Sequence, residues 1–486
     1  MFADYVYEKS AAEYCNRLIL IDSDHLEEKY HYCAYFAERG FQVIRYEDDL
    51  RFRVEYSDLF DDDSGKYLLL VQQGAYVPFD VIRRFKSVDV SVNSLYPNLN
   101  SAVIREDTCM DYDLLSTAYS RNYDDLRTPE KTLMFRETMY SYSTVRDLLN
   151  EKMALLHQLV ESTVSYKDWC RISALKAEID VMATERNVAF DTGFVDEPFV
   201  KFVLSDFGKL SSVLDKGSPV LVSRAMEFMH DNSDKFAVIV MDGMSQFDWS
   251  IICKGFDGLR YEKSDVFAMI PTTTSVSRQC LLSNKYPSQL IEPWKQSKEK
   301  SEFVACAEDM GFTSEQIGYE RGYDADFTSN VKCAAVIIND VDDMVHGQKQ
   351  GRIGMFNDIT VLSKQGQLVA LTKRLLRAGF DVYITADHGN TPCVGMGKLM
   401  KTGVEVETKS RRMIVLKDFA DKDALLSQHD VFEYPKYYLN KAYDYLICGA
   451  GHSFDSKGED VMSHGGITVD EVIVPFIKIK AVDNNG

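Results

Sequence analysis

The chain has 486 residues, 45% of them hydrophobic and 27% charged, an ordinary globular composition that excludes pervasive disorder and low-complexity architecture. At about 150 residues per domain this length suits two to four domains with full cores. The 55 Lys and Arg against 75 Asp and Glu give a net charge of −20, which argues against strong direct duplex DNA binding, because affinity for a phosphate backbone comes mostly from cationic contacts.

The first segment, Met1 to Leu18, mixes Asp4, Glu8, Lys9 and Glu13 with aromatics, unlike a secretory signal. No run approaches about 18 consecutive apolar residues, so neither a membrane span nor a membrane partner is expected. The ten cysteines, scattered from Cys15 to Cys448, form no C-x-x-C pair. That pattern fits reduced thiols in a cytoplasmic protein rather than a disulfide framework or a structural zinc module.

Residues 1–115 read as a small α/β domain, Rossmann-like or receiver-like. Arg17-Leu-Ile-Leu-Ile-Asp22 is an apolar, β-branched run typical of a buried strand, a helical stretch covers Leu26 to Arg39, and Gly40 stops it. Phe41–Tyr46 and Lys66–Val71 read as two further strands, and strands alternating with helices imply a parallel sheet. Asp22 and Asp24 follow the first strand, where response-regulator receivers carry an acidic pair, but Gln72-Gln73-Gly74 stands where such a domain needs its third-strand Asp. Solvated loop carboxylates are the simpler reading.

Residues 116–232 read as a helical connector. Apolar residues recur at helical spacing in Met153–Val160 and Ile172–Met182, and only Pro198 falls between Pro129 and Pro219. His157 and His230 are expected to be ordinary helix residues.

Residues 233–486 return to an α/β pattern. Strands are expected at Phe236–Met241, Val266–Ile270, Ala334–Ile338, Phe380–Thr385, Arg412–Leu416 and Glu471–Phe476. Their near-continuous apolar runs suit a mostly parallel sheet covered by helices on both faces. The informative residues lie just past these strands. Asp242 comes directly after the first of them, and Thr272, Thr273 and Thr274 come after Ile270-Pro271. Asp340, Asp342, Asp343 and His346 come after Ile338, and Asp387-His388-Gly389 after Thr385. In an open α/β sheet, sites form outside the carboxyl ends of strands. Carboxylates with imidazoles are the ligand set of zinc or manganese. With His464-Gly465-Gly466 there are enough ligands for two ions, the arrangement that suits in-line displacement at phosphorus. Each element also has a plainer reading: Asp242 as a turn or cap residue, Asp387-His388-Gly389 as a turn, Thr274 as a helix N-cap.

The order Asp242-Gly, Pro271-Thr-Thr-Thr274, Asp342-x-x-x-His346, Asp387-His388-Gly, His464-Gly-Gly and Val474-Pro475-Phe476 resembles the alkaline phosphatase superfamily. Within it, Thr274-Ser-Val-Ser-Arg278, Leu281–Pro287 and the His464-Gly-Gly ending are most similar to the PglZ domain family, associated with BREX-type phage defence and found fused to some bacterial response regulators. The match runs roughly from Lys235 to Lys480; Ile21–Asp24 and Asp49–Arg53 resemble the leading domain of such proteins more weakly.

The resemblance implies an alkaline-phosphatase-like core and a phosphohydrolase or phosphodiesterase. It implies one divalent ion on Asp242, Thr274, Asp387 and His388 and another on Asp342, His346 and His464, zinc or manganese in each. Thr274 would be the nucleophile, and Arg278, one turn on, would contact a phosphate oxygen or else serve a structural role. Thr272 and Thr273 compete with Thr274, Asp340 and Asp343 with Asp342, and His452 with His464. The implied substrates are phosphate esters, nucleotides or oligonucleotides first, with defence-system proteins as partners. Two alternatives stay open: a catalytically silent scaffold, and a phosphotransferase or sulfatase on the same fold, although no Cys occupies position 274. There is no G-x-x-x-x-G-K-[ST] phosphate loop and no G-x-S-x-G nucleophile elbow.

Overall fold

A computed structural model describes all residues except 57–58, 60–64, 108–109, 123, 398–403, 407–409, 418–421 and 482–486. The chain divides into two compact units, Met1–Lys152 and Met153–Gly486. Residues of the expected helical connector fall in both.

The first unit is built on four parallel strands: β1 (Arg17–Asp22), β2 (Gln42–Tyr46), β3 (Tyr67–Gln72) and β4 (Lys86–Val90). Ile19, Ile44, Leu69, Val71 and Val81 form a buried cluster against the sheet. The spatial order is β2-β3-β1-β4. It departs from the 2-1-3 order of receiver-type sheets and from the 3-2-1 order of dinucleotide-binding sheets. The acidic pair after β1 is occupied with local structure. Asp22 is buried, and its carboxylate accepts from the backbone N–H groups of Leu26 and Glu27 at 2.9 Å each. Asp24 pairs with Arg105 at 2.9 Å and accepts from the Val92 N–H at 2.7 Å.

The second unit holds a six-stranded α/β core. Its strands are β5 (Phe236–Met241), β6 (Glu262–Phe267), β7 (Ile317–Arg321), β8 (Cys333–Ile338), β9 (Asp381–Thr385) and a closing strand, Ile473–Ile479. In space the order is β6, closing strand, β9, β5, β8, β7. β9, β5, β8 and β7 run parallel; the closing strand is antiparallel to both neighbours. β5 and β8 are buried along their whole length, as expected for central strands read as unbroken apolar runs. The half-polar edge strand β7, Ile-Gly-Tyr-Glu-Arg, carries too weak a pattern to be read beforehand.

The helices Tyr166–Glu185, Gln246–Ile252 and Gly351–Gln365 pack on one another. Ala225–Asn232, Gln279–Ser283 and Glu299–Asp309 form a second group. Ser165 and Ser245 each begin a helix with a reciprocal capping box.

One expected strand sits elsewhere. Met413–Leu416 belongs to a separate antiparallel sheet with 404–406, Val431–Glu433 and Asp444–Cys448. Its side chains Ile414, Leu416, Leu446 and Cys448 form a satellite cluster with Phe454. A short apolar run reads the same whichever sheet buries it. This sheet lies within the stretch of chain between Asn390 and His464. Thr391–Gly395 leaves the Asn390 turn and Asp460–Ser463 returns to His464. The two pair antiparallel with Thr391 opposite Ser463, which brings the chain around His388 back beside His464.

Candidate functional site

Asp242 is the first residue after β5, anchored by its N–H to the Ile338 carbonyl of β8 at 2.8 Å. Gly243 follows at φ +75°, a left-handed turn that a side chain would strain. Its N–H donates to Asp387 Oδ1 at 3.2 Å, tying the ends of β5 and β9 together. Asn390 adds a second tie, donating from Nδ2 to the Gly243 carbonyl at 2.9 Å and to Asp248 Oδ2 at 2.6 Å.

Thr274 begins a continuous helical segment to Ser283 whose first turn, Thr274–Arg278, is a π-turn, a form often found at functional positions. Thr274 is half-buried, and its Oγ1 lies 3.3 Å from Asp242 Oδ1 and 3.1 Å from His388 Nε2. The other two threonines behave differently. Thr272 is buried and structural: its Oγ1 donates to the Gly466 carbonyl at 2.8 Å and accepts from the Gly465 N–H at 3.0 Å. Thr273 Oγ1 is buried without a partner.

Two groups of metal-competent side chains occur among the described residues: Asp242, Asp387 and His388, and Asp342, His388 and His464. In each, ligand atoms lie within 4.8 Å of one another, and His388 is common to both. The histidines are oriented for coordination. His388 Nδ1 faces the Gly389 carbonyl at 3.0 Å, and His464 Nδ1 faces the Thr272 carbonyl at 2.9 Å. A carbonyl only accepts, so each Nδ1 carries a proton, which leaves Nε2 as the nitrogen a metal would take, the arrangement of metal-ligating imidazoles.

His346 stands at the rim. Its side chain is 42% exposed, its Nε2 is 3.4 Å from Asp342 Oδ2, and its ring centroid is 5.3 Å from that of His464. The Asp342–His346 spacing of four thus puts both on one face of the helix Asp340–Gly347. Asp343 points outward, Asp340 accepts from the Tyr323 hydroxyl, and His452 pairs with Asp430 at 2.8 Å; neither these three nor the rim residue His346 belongs to either group.

Burial dominates the electrostatics. It raises the Asp387 carboxyl well above its ordinary range, reinforced by Asp242 and opposed by Arg278. It lowers His464 to about 4, with His388 adding to the effect. At Asp342 burial also works upward, yet the hydrogen bond from His346 and the nearby His464 and His388 hold the carboxyl far below the usual range. His464 Nε2, Asp342 Oδ1 and Asp387 Oδ2 are buried polar atoms without hydrogen-bond partners. Orphans of this kind are costly unless something satisfies them, and one nitrogen plus carboxylate oxygens is a donor set that fits a divalent cation.

Arg278 is fully buried. Its guanidinium faces Asp242 at 2.6 Å and Glu299 at 2.7 Å, so it meets carboxylates rather than open space for a phosphate. Glu299, Asn390, Asp248 and Ser277, which donates to the Asp387 carbonyl, support the site without having been singled out in the sequence. Only the Ser245-x-x-Asp248 capping box carried a readable signal.

Comparison with known proteins identifies the family. No curated protein matches the chain. Human ectonucleotide pyrophosphatase/phosphodiesterase 5 is similar over 50% of this chain and 87% of its own at 14% identity, TM-score 0.37. The murine protein, in an inactive form with AMP, is similar over 51% and 88% at 13% identity, TM-score 0.36. The profile of the BREX system PglZ alkaline phosphatase-like domain matches residues 221–479. That span is more than half of the chain and contains every residue of both ligand groups, so the chain belongs to the PglZ family of alkaline phosphatase-like domains.

Proposed function

We propose that the protein is a metal-dependent phosphohydrolase or phosphodiesterase that acts through Thr274. The observation that carries this reading is the position of Thr274 Oγ1, a half-buried hydroxyl 3.3 Å from Asp242 and 3.1 Å from His388, at the meeting point of two carboxylate–histidine groups.

Two divalent cations, one held by Asp242, Thr274, Asp387 and His388 and the other by Asp342, His346 and His464, would supply Lewis acidity and charge neutralisation at phosphorus. Zinc and manganese both suit this ligation. The chain's own residues do the rest. The Thr274 hydroxyl is a weak nucleophile at neutral pH; Asp242 Oδ1 is the acceptor within reach of its proton, while His388 Nε2, 3.1 Å from Oγ1, is the nitrogen a cation would take. Its oxygen attacks phosphorus, and the bond to the leaving alcohol or nucleotide oxygen breaks. A phosphothreonine remains, and water then cleaves it to release phosphate or a monoester. The Gly389 and Thr272 carbonyls hold the two histidines in place, so that no reorganisation is needed at the moment of reaction.

On the same reading, the substrates are nucleotides or oligonucleotides, the setting is phage defence in the bacterial cytoplasm with defence-system proteins as partners, residues 1–115 form an accessory domain and 116–232 a connector. Among the described residues no helix is long and apolar enough to cross a membrane. The test is hydrolysis of bis-p-nitrophenyl phosphate and p-nitrophenyl phosphate with Zn²⁺ or Mn²⁺, wild type beside Thr274→Ala and Asp387→Ala. Both variants are expected to lose orders of magnitude in rate while remaining folded. A folded wild type inactive with either ion overturns the reading and favours the silent scaffold.

A further inference from the structure

The carboxylate of Asp242 is gripped from both ends by one helical turn. Thr274 Oγ1 approaches Oδ1 at 3.3 Å, and Arg278 Nη1 donates to Oδ2 at 2.6 Å. The same guanidinium nitrogen lies 3.9 Å from Asp387 Oδ2, an oxygen with no hydrogen bond of its own. Arg278 Nε donates to Glu299 Oε2 at 2.7 Å. Glu299 Oε1 in turn accepts from the Tyr319 hydroxyl and from Arg321, whose side chain is 47% exposed. A chain of alternating charge thus runs from Asp242 inside the site, through Arg278 and Glu299, to the surface. Arg278, Asp242 and Asp387 are all essentially excluded from solvent.

We propose that Arg278 is a positioning residue for the ion nearest Thr274: by occupying Asp242 Oδ2 it fixes the carboxylate so that only Oδ1 is presented beside Thr274 and His388. The inference rests on the metal-dependent reading and deepens it. A guanidinium suits the task because its planar fork engages two carboxylates at fixed angles, which a lysine ammonium cannot reproduce. Partners that orient a coordinating carboxylate typically control metal affinity by 10- to 100-fold. Glu299 serves the same end one step back, since a buried guanidinium left with fewer partners would reorient. The site's second group, Asp342 with His464, makes no contact with Arg278 among the described residues.

The test is competition titration of the metal-free full chain with Zn²⁺ against a chromophoric chelator, which reads affinity without requiring turnover. Wild type is expected to take up two ions. In Arg278→Lys one of the two steps weakens by about 10- to 100-fold while the other is unchanged, and Glu299→Gln weakens the same step by a smaller factor. Glu299→Gln touches none of the expected ligands, so it keeps the test decisive should Arg278→Lys fold poorly. Two unchanged steps in folded variants, or an equal loss at both, would reduce Arg278 to a structural counter-ion and overturn the proposal. A wild type that binds no Zn²⁺ would overturn the metal site itself, and this role with it.

Discussion

The imidazoles of His388 and His464 lie face to face, ring centroids 4.2 Å apart and 10° from parallel. Each comes from a different end of the stretch that leaves the sheet after β9 and returns before the closing strand. Each has its Nδ1 committed to a backbone carbonyl. Two rings stacked this closely, with both Nε2 atoms turned toward carboxylates, suit neighbouring ligands of a metal site. The expected outcome of removing divalent ions with a chelator is a lower melting temperature, restored by Zn²⁺ or Mn²⁺. A ligand present at 100 times its dissociation constant stabilises by about 2.7 kcal/mol. His464→Gln should keep the first increment of metal stabilisation and lose the second. Differential scanning fluorimetry across a metal series checks this, and a melting temperature indifferent to metal in the wild type would contradict it.

The three consecutive threonines offer an internal comparison. Thr272→Val removes two buried hydrogen bonds to the Gly465-Gly466 turn and should cost about 1–3 kcal/mol of stability. Thr273→Val removes a buried hydroxyl that has no partner and should raise stability, by up to about 1–3 kcal/mol. Thr274→Val should leave stability nearly unchanged and abolish hydrolysis. Chemical denaturation and phosphodiester turnover, measured on the same three preparations, separate these outcomes.

Much of the core was legible because the signal is simple. Unbroken apolar runs at Phe236–Met241 and Ala334–Ile338 are what central strands need, and a polar residue at the end of each marks the edge where sites form. Asp242, Asp387 and His388 could be singled out on that ground, whereas only the family resemblance favours Thr274 over Thr272 and Thr273, and His464 over His452. What escaped was decided by tertiary contact. Met413–Leu416 is apolar enough for the central sheet, but nothing local says which sheet will take it. The inward turn of Arg278 depends on Glu299, 21 residues away in sequence. The strand order β2-β3-β1-β4 is likewise invisible to a pattern of alternating strands and helices.

Asp22 is expected to be structural rather than a phosphoacceptor. Its two oxygens cap the start of the helix Leu26–Tyr30, and the third-strand position that a receiver needs is held by Gln72-Gln73. Asp22→Ala should lower the stability of the first unit by about 1–2 kcal/mol, in the range of lost N-caps. Incubation with acetyl phosphate should leave the wild type unlabelled at this position. A labelled Asp22, detected as a mass increase lost in Asp22→Asn, would restore a signalling role.

The last expectation concerns pH. Asp196 is buried in the second unit beside a packed set of charges: Lys176 bridges Asp180 at 2.9 Å and Asp470 at 2.7 Å, and Arg352 joins both acids. Burial pushes the Asp196 carboxyl up to about 6; Lys176 opposes the shift and Asp470 adds to it. Between its ordinary value near 4 and about 6, the folded chain therefore binds a proton that the unfolded chain has released. Stability from this group is complete below about pH 4 and falls as pH rises to about 6, by on the order of 3 kcal/mol in all. Asp196→Asn replaces the carboxyl with a neutral group of the same shape. The variant should match the wild type near pH 4.5 and melt several degrees higher at pH 7.5, with the gap opening between those values. A gap that does not change with pH would mean that Lys176 keeps Asp196 ionised throughout, with the buried network carrying three full negative charges against two positive ones.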